Sequence, residues 1–139
     1  MMPAMMPRRP GACMNDERVW EFERELWLGD IERYQYLIDD ACVMVVPADP
    51  FVMVGGEAAN AVSRTPRWTQ VTFDRQVVTR PAEGLIVIGY HARASREEGP
   101  EHGEVYEAYC TSTLHRLGHE EWRVVQHQQT PQAAVIAEE

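Results

Sequence analysis

The sequence predicts an α+β domain in which a cone-shaped, curved antiparallel sheet wraps against two or three N-terminal helices. Three observations point there. Apolar residues recur at helical spacing from Val19 to Ile38, and a short helical segment follows Gly56. Most of the remaining chain is β-branched and aromatic, in runs that reach 13 residues between Trp68 and Arg80, whereas an ordinary strand has about 5 or 6. Short turns join these runs, and long strands joined this way curl against the helices and leave an interior.

The first helix starts at Asn15, which can cap it, with Asp16 and Glu17 adding negative charge to the first turn. Gly29 stops it. Val19, Phe22 and Leu26 form its apolar stripe, widened by Trp20 and Trp27, while Glu21, Glu23, Arg24 and Glu25 are expected to face water. Asp30 caps a second helix whose apolar face is Ile31, Tyr34, Leu37 and Ile38. Cys42 to Val46 reads as a strand closed by Pro47, and Phe51 to Val54 as a short one after the Asp-Pro turn. Glu57 to Ser63 fits a third, short helix. Then come the long strands: Trp68 to Arg80, Leu85 to Ser95, Val105 to Leu117 and Glu121 to Gln129, with Gly118-His119 as the last hairpin turn. Residues 1–14 read as a flexible leader rich in Pro and Met, 15–130 as the domain and 131–139 as a tail; Met14 is an alternative start.

Thirteen basic residues against twenty-two acidic ones give a net charge of −9. Such a surface repels phosphate backbones and anionic lipid, which speaks against nucleic acid and membrane surfaces as partners. Every basic residue is an arginine. The three cysteines, Cys13, Cys42 and Cys110, are widely spaced with no C-x-x-C pair, so reduced thiols in a cytoplasmic protein are the expected state. Neither a metal nor a cofactor is implied. His115 and His119 straddle a hairpin and read, with His102, as solvated loop residues. Gly55-Gly56 lacks the remaining features of a phosphate loop. Asp39-Asp40 reads as a turn.

Four motifs in order resemble the nuclear-transport-factor-2-like superfamily, in its small bacterial SnoaL-like and unknown-function branch. They are Leu28-Gly29-Asp30, Ile38-Asp39-Asp40-Ala41-Cys42-Val43, Gly56-Glu57-Ala58 and Trp122 to Gln128. The resemblance runs from about Asp16 to Thr130 and implies a cystatin-like roll whose sheet wraps a pocket. Within that superfamily the steroid isomerases carry a tyrosine where this chain has Phe22. Their general base falls where this chain has Met44, Val45 or Val46. Isomerisation by that machinery is therefore not expected.

Strand alternation sorts the remaining candidates by face. With Gly118-His119 as the turn, Cys110 and His127 pair across one face and Tyr90 joins them. That face also carries Ile86, Ile88, Ala108, Ser112, Leu114 and Val125, the mix expected of a small-molecule pocket. Phe22, Tyr34 and Met44 are expected to close it on the apolar side. His127 is the one acid/base candidate on this face. A Cys110–His127 nucleophile pair lacks an orienting third residue. The opposite face carries Tyr109, Thr111, Thr113, Trp122 and Gln126, an amphipathic patch expected to form a homodimer. Two functional classes remain open: a domain that binds a small apolar or aromatic molecule in its cone, with or without acid/base chemistry on it, and a non-enzymatic dimerisation module with a self-filled cavity.

Overall fold

Helix α1 (Asp16–Leu28) begins where the Asn15 side chain accepts the Arg18 N–H at 2.9 Å. Asp30 caps α2 (Ile31–Leu37) in the same way, accepting the Arg33 N–H at 2.9 Å. The computed structural model describes residues 14–97 and 103–132. Expectations for the leader before Met14, for His102 and for the tail after Gln132 fall outside these residues.

Ile38 does not extend the α2 face but opens β1 (Ile38–Val45), pairing with Val124. Asp39 and Asp40 lie in that strand, and the Asp39 carboxylate accepts the Ala41 N–H at 2.8 Å, a local turn within an irregular stretch of pairing. β2 (Val52–Val54) runs directly into α3 (Gly55–Ser63), whose Glu57 side chain reaches back to the Val54 N–H at 3.1 Å. The long strands follow as β3 (Gln70–Ala82), β4 (Leu85–Ser95), β5 (Val105–Gly118) and β6 (Glu121–Pro131).

The strands form one curved, open sheet in the order β2-β1-β6-β5-β4-β3. Every neighbouring pair is antiparallel except β1 and β6, which run parallel, so the sheet is mixed. After α3 the chain crosses to the far edge and meanders back, which leaves β6 beside β1. Breaks in register at Asp74/Val77 and Thr113/Leu114 bend the sheet, and Arg75 takes a left-handed φ of 54° at the first of them.

The concave side holds two apolar clusters. Val19, Trp27, Val71, Ile86, Ile88 and Leu114 belong to one, between α1 and β3–β5; Leu26, Tyr34, Leu37, Met44 and Met53 belong to the other, under α2 and α3. Met14 is buried against the first cluster, and Arg80 holds its carbonyl at 2.7 Å and the Asp16 carboxylate at 2.9 Å. No helix among the described residues is long and apolar enough to cross a membrane.

Candidate functional site

Where the two clusters meet, a cleft of about 640 Å³ opens between the β1–β2–α3 end of the fold and β5–β6. Trp27 of α1 and Tyr106, His127 and Gln129 of β5 and β6 line it on one side, Tyr34, Met44 and Met53 on the other. Trp68 stacks on Tyr106 at 5.2 Å, and Arg96 lies 3.6 Å from the Trp68 ring centroid. Arg67 packs over Tyr34 while donating to the carbonyls of Gly29 and Leu26, both at 2.6 Å, so it closes the C-terminus of α1. Aromatic walls with a few fixed polar groups are the usual make-up of a small-molecule site.

Behind this wall runs a buried polar chain. Trp27 Nε1–H donates to the Tyr90 hydroxyl at 3.0 Å, and Tyr90 donates to Glu23 Oε2. Ser112 donates to the same oxygen at 2.5 Å, and its Oγ lies 2.7 Å from His127 Nδ1. On the cavity side Tyr106 donates to Gln129 Oε1 at 3.0 Å, which turns Gln129 Nε2 toward His127 Nε2, also at 3.0 Å. Donor counting fixes the protons along this chain. Ser112 has one hydrogen and gives it to Glu23, so its oxygen accepts from Nδ1–H. Gln129 Nε2 can only donate, so His127 Nε2 presents its lone pair. Burial, and Glu23 beside it, push the Tyr90 phenol well above its ordinary range, and burial does the same to Tyr106; both stay hydroxyl donors.

Tyr34, Met44 and His127 of the sequence candidates line the cleft. Phe22, Tyr90 and Cys110 do not. Phe22 packs between the two clusters, Tyr90 sits in the polar chain, and Cys110 lies in the core. The expected Cys110–His127 pair is replaced: the hairpin turns at His119-Glu120, so Ser112 faces His127 and Cys110 faces Gln129. This two-residue shift keeps both on the concave face. The break at Thr113/Leu114 then brings Val124 inward in place of Val125. Burial and Glu23 push the Cys110 thiol up, and burial and Asp39 push Cys42 up to about 12, so neither is a ready thiolate.

Glu23 is the main departure. Expected to face water, it is fully buried. Its position shows why, for it lies four residues after Val19 and four before Trp27 and shares their helical face. A carboxylate inside an apolar stripe was the available signal. Ser112 and Gln129 had none beyond strand alternation. Among the described residues no group of His, Cys, Asp and Glu could hold a metal.

No protein-family model matches this sequence, and no curated protein matches it. Solved structures do superpose on it. An NTF2-like protein from Cytophaga hutchinsonii is 17% identical with a TM-score of 0.68, covering 85% of this chain and 99% of its own. An NTF2-like protein of unknown function in nutrient uptake from Rhodospirillum rubrum is 15% identical with a TM-score of 0.71, covering 84% and 98%. The association domain of C. elegans CaMKII is 14% identical with a TM-score of 0.64, covering 82% and 90%. The order of helices and strands, the curved open sheet and these superpositions agree: the chain has the nuclear-transport-factor-2-like fold.

Proposed function

We propose that this domain binds a small apolar or aromatic molecule in the cleft, with the His127 imidazole and the Gln129 amide hydrogen-bonded to it as its polar anchor. The observation that supports it most is the cleft itself: about 640 Å³ bordered by Trp27, Trp68 and Tyr106, with His127 and Gln129 as oriented polar groups on the same wall. A molecule of two or three fused rings fits such a volume, since small-molecule sites span about 300–1,000 Å³. Steroids, polyketides and aromatic acids form the natural screening panel. Binders should raise the melting temperature and quench Trp27 and Trp68 fluorescence. His127→Ala should weaken a binder that hydrogen-bonds this His127–Gln129 pair by about 1–3 kcal/mol per folded molecule. If the panel leaves the wild type unshifted, the reading fails.

A second reading concerns self-association, and a different feature favours it. On the outer face, Val54, Val43, Gln126, Thr113, Val87 and Thr79 form one row across the six strands, and Val52, Val45, Gln128, Thr111, Gly89 and Val77 form the next. Neither row carries a charge, in a chain of net −9. One structure of the same fold is named an association domain. A homodimer through this face is compatible with ligand binding on the concave side.

A further inference from the structure

The chain carries −9 overall, yet the cleft wall has the opposite sign: Arg64, Arg67 and Arg96 line it against one carboxylate, Asp49, among the described residues. We propose that the molecule taken up there is an aromatic carboxylate, its ring against Trp68 and Tyr106 and its anionic head between Arg64 and Arg67. The proposal rests on the binding reading above and narrows its ligand class.

Three observations carry it. First, Arg67 is fixed in place and only partly spent. Its Nε and Nη2 donate to the carbonyls of Gly29 and Leu26, both at 2.6 Å, while Nη1 has no hydrogen-bond partner among the described residues. Second, the protein opposes the charge of Arg67 more than it compensates it. Burial, and after it the like charge of Arg96, hold the guanidinium pKa below the ordinary arginine value. Packing over the Tyr34 ring at 5.1 Å offsets part of this, but no carboxylate among the described residues lies within ion-pair reach. A half-buried cation beside a second cation is costly until an anion joins them. Third, Arg64 stands three residues earlier, exposed at the C-cap of α3, and its side chain makes no hydrogen bond or ion pair among the described residues. The fold spends nothing on it, and its guanidinium is open to a ligand.

Arg96 has a different part. Its guanidinium lies 3.6 Å from the Trp68 ring centroid and its Nε donates to the Pro66 carbonyl at 2.7 Å, so it stiffens the aromatic wall and adds to the positive field. The head-group chemistry follows from the donors. A carboxylate offers two oxygens in one plane, and guanidinium N–H groups are the donors that match it best. One oxygen goes to Arg67 Nη1 and the other to Arg64. The ring then falls on the apolar and aromatic lining, with the His127–Gln129 pair left for a further polar group.

Calorimetric titration of the full chain with 2-naphthoate, its neutral isostere 2-naphthamide and a neutral steroid tests the proposal. The acid should bind at least about tenfold tighter than the amide at low salt, and part of that advantage should vanish at about 0.5 M salt. Arg64→Gln should weaken the acid about fivefold and leave the amide within about twofold. Arg67→Gln, read as the same acid-to-amide ratio so that lost stability at α1 cancels, should lower it likewise. Arg75→Gln removes a charge on β3 outside the cleft and should leave the ratio unchanged. A ratio near one in the wild type, a ratio untouched by Arg64→Gln or Arg67→Gln, or an equal loss in Arg75→Gln would each overturn the proposal, while binding of the amide or the steroid keeps the cleft reading. If none of the three ligands binds, the cleft reading and this proposal fall together.

Discussion

On the outer face of β4, His91 hydrogen-bonds through Nδ1 to Asp74 at 2.8 Å and through Nε2 to Gln132 at 2.9 Å, with a Glu107 carboxylate oxygen 3.1 Å from Nε2. Burial pulls the imidazole pKa down, but the bonds to Asp74 and Gln132 and the two carboxylate charges outweigh it, and the net shift is upward. A pKa raised in the folded state adds stability that is complete below the unfolded value of about 6.5. It is lost as pH rises through the folded value. Urea midpoints at about pH 6 and about pH 8.5 should therefore fall more steeply in the wild type than in His91→Gln; equal slopes would refute the clamp. The contrast with Glu23 shows what single residues reveal in the sequence. The face of His127 was read from alternation counted from the assumed hairpin, and the two-residue shift in pairing leaves it on the concave side. Glu23 was legible only in its place on the Val19–Trp27 face, for its partners Tyr90 and Ser112 lie 67 and 89 residues away. No local pattern records such a meeting.

Helix starts and stops follow from one or two residues, which is why Asn15, Gly29 and Asp30 mark their boundaries in the sequence as they do in the fold. Strand pairing is non-local, and there the expectations slipped: the last hairpin turned one residue later and its pairing shifted by two, and Ile38 joined a strand instead of a helix. The parallel β1–β6 pair had no local signal, since it depends on where the meander ends. The start of α3 offers a test at this scale. A Cβ on Gly55 would sit 2.5 Å from the Asp40 carbonyl oxygen and 2.7 Å from that of Asp39. Both are backbone atoms, so the strand cannot yield as a side-chain tip would. Gly55→Ala should cost about 1–3 kcal/mol by forcing α3 away from β1. Gly56→Ala, which meets nothing within 4 Å, should be neutral or stabilising by up to about 1 kcal/mol. Denaturant titration of the pair decides it, and equal effects would mean that the close approach is not the constraint.

Across the whole molecule, the sheet divides two kinds of surface. Its concave side packs against the helices and holds the cleft. Its convex side carries the two uncharged rows, where Thr111 bonds Gln128 and Thr113 bonds Gln126, both at 3.0 Å, beside exposed Val43, Val45, Val52 and Val54. Two copies that each carry −9 repel one another wherever their acidic surfaces meet. Self-association is then cheapest through the two uncharged rows at the middle of this face, and six strands at about 4.8 Å spacing make the face roughly 24 Å wide. Its extent is compatible with a standard interface of about 1,600 Å² in total. At tens of micromolar the chain should sediment at twice its 15.9 kDa mass. Thr111→Arg places a cation in the middle of the second row and should return the monomer, with its melting temperature close to that of the wild type because the side chain points away from the core. A wild type that stays at 15.9 kDa removes this interface outright. A Thr111→Arg variant that remains dimeric moves it to another surface, and Val45→Arg, one strand beyond Gln128 in the same row, then shows whether any part of the convex face takes part.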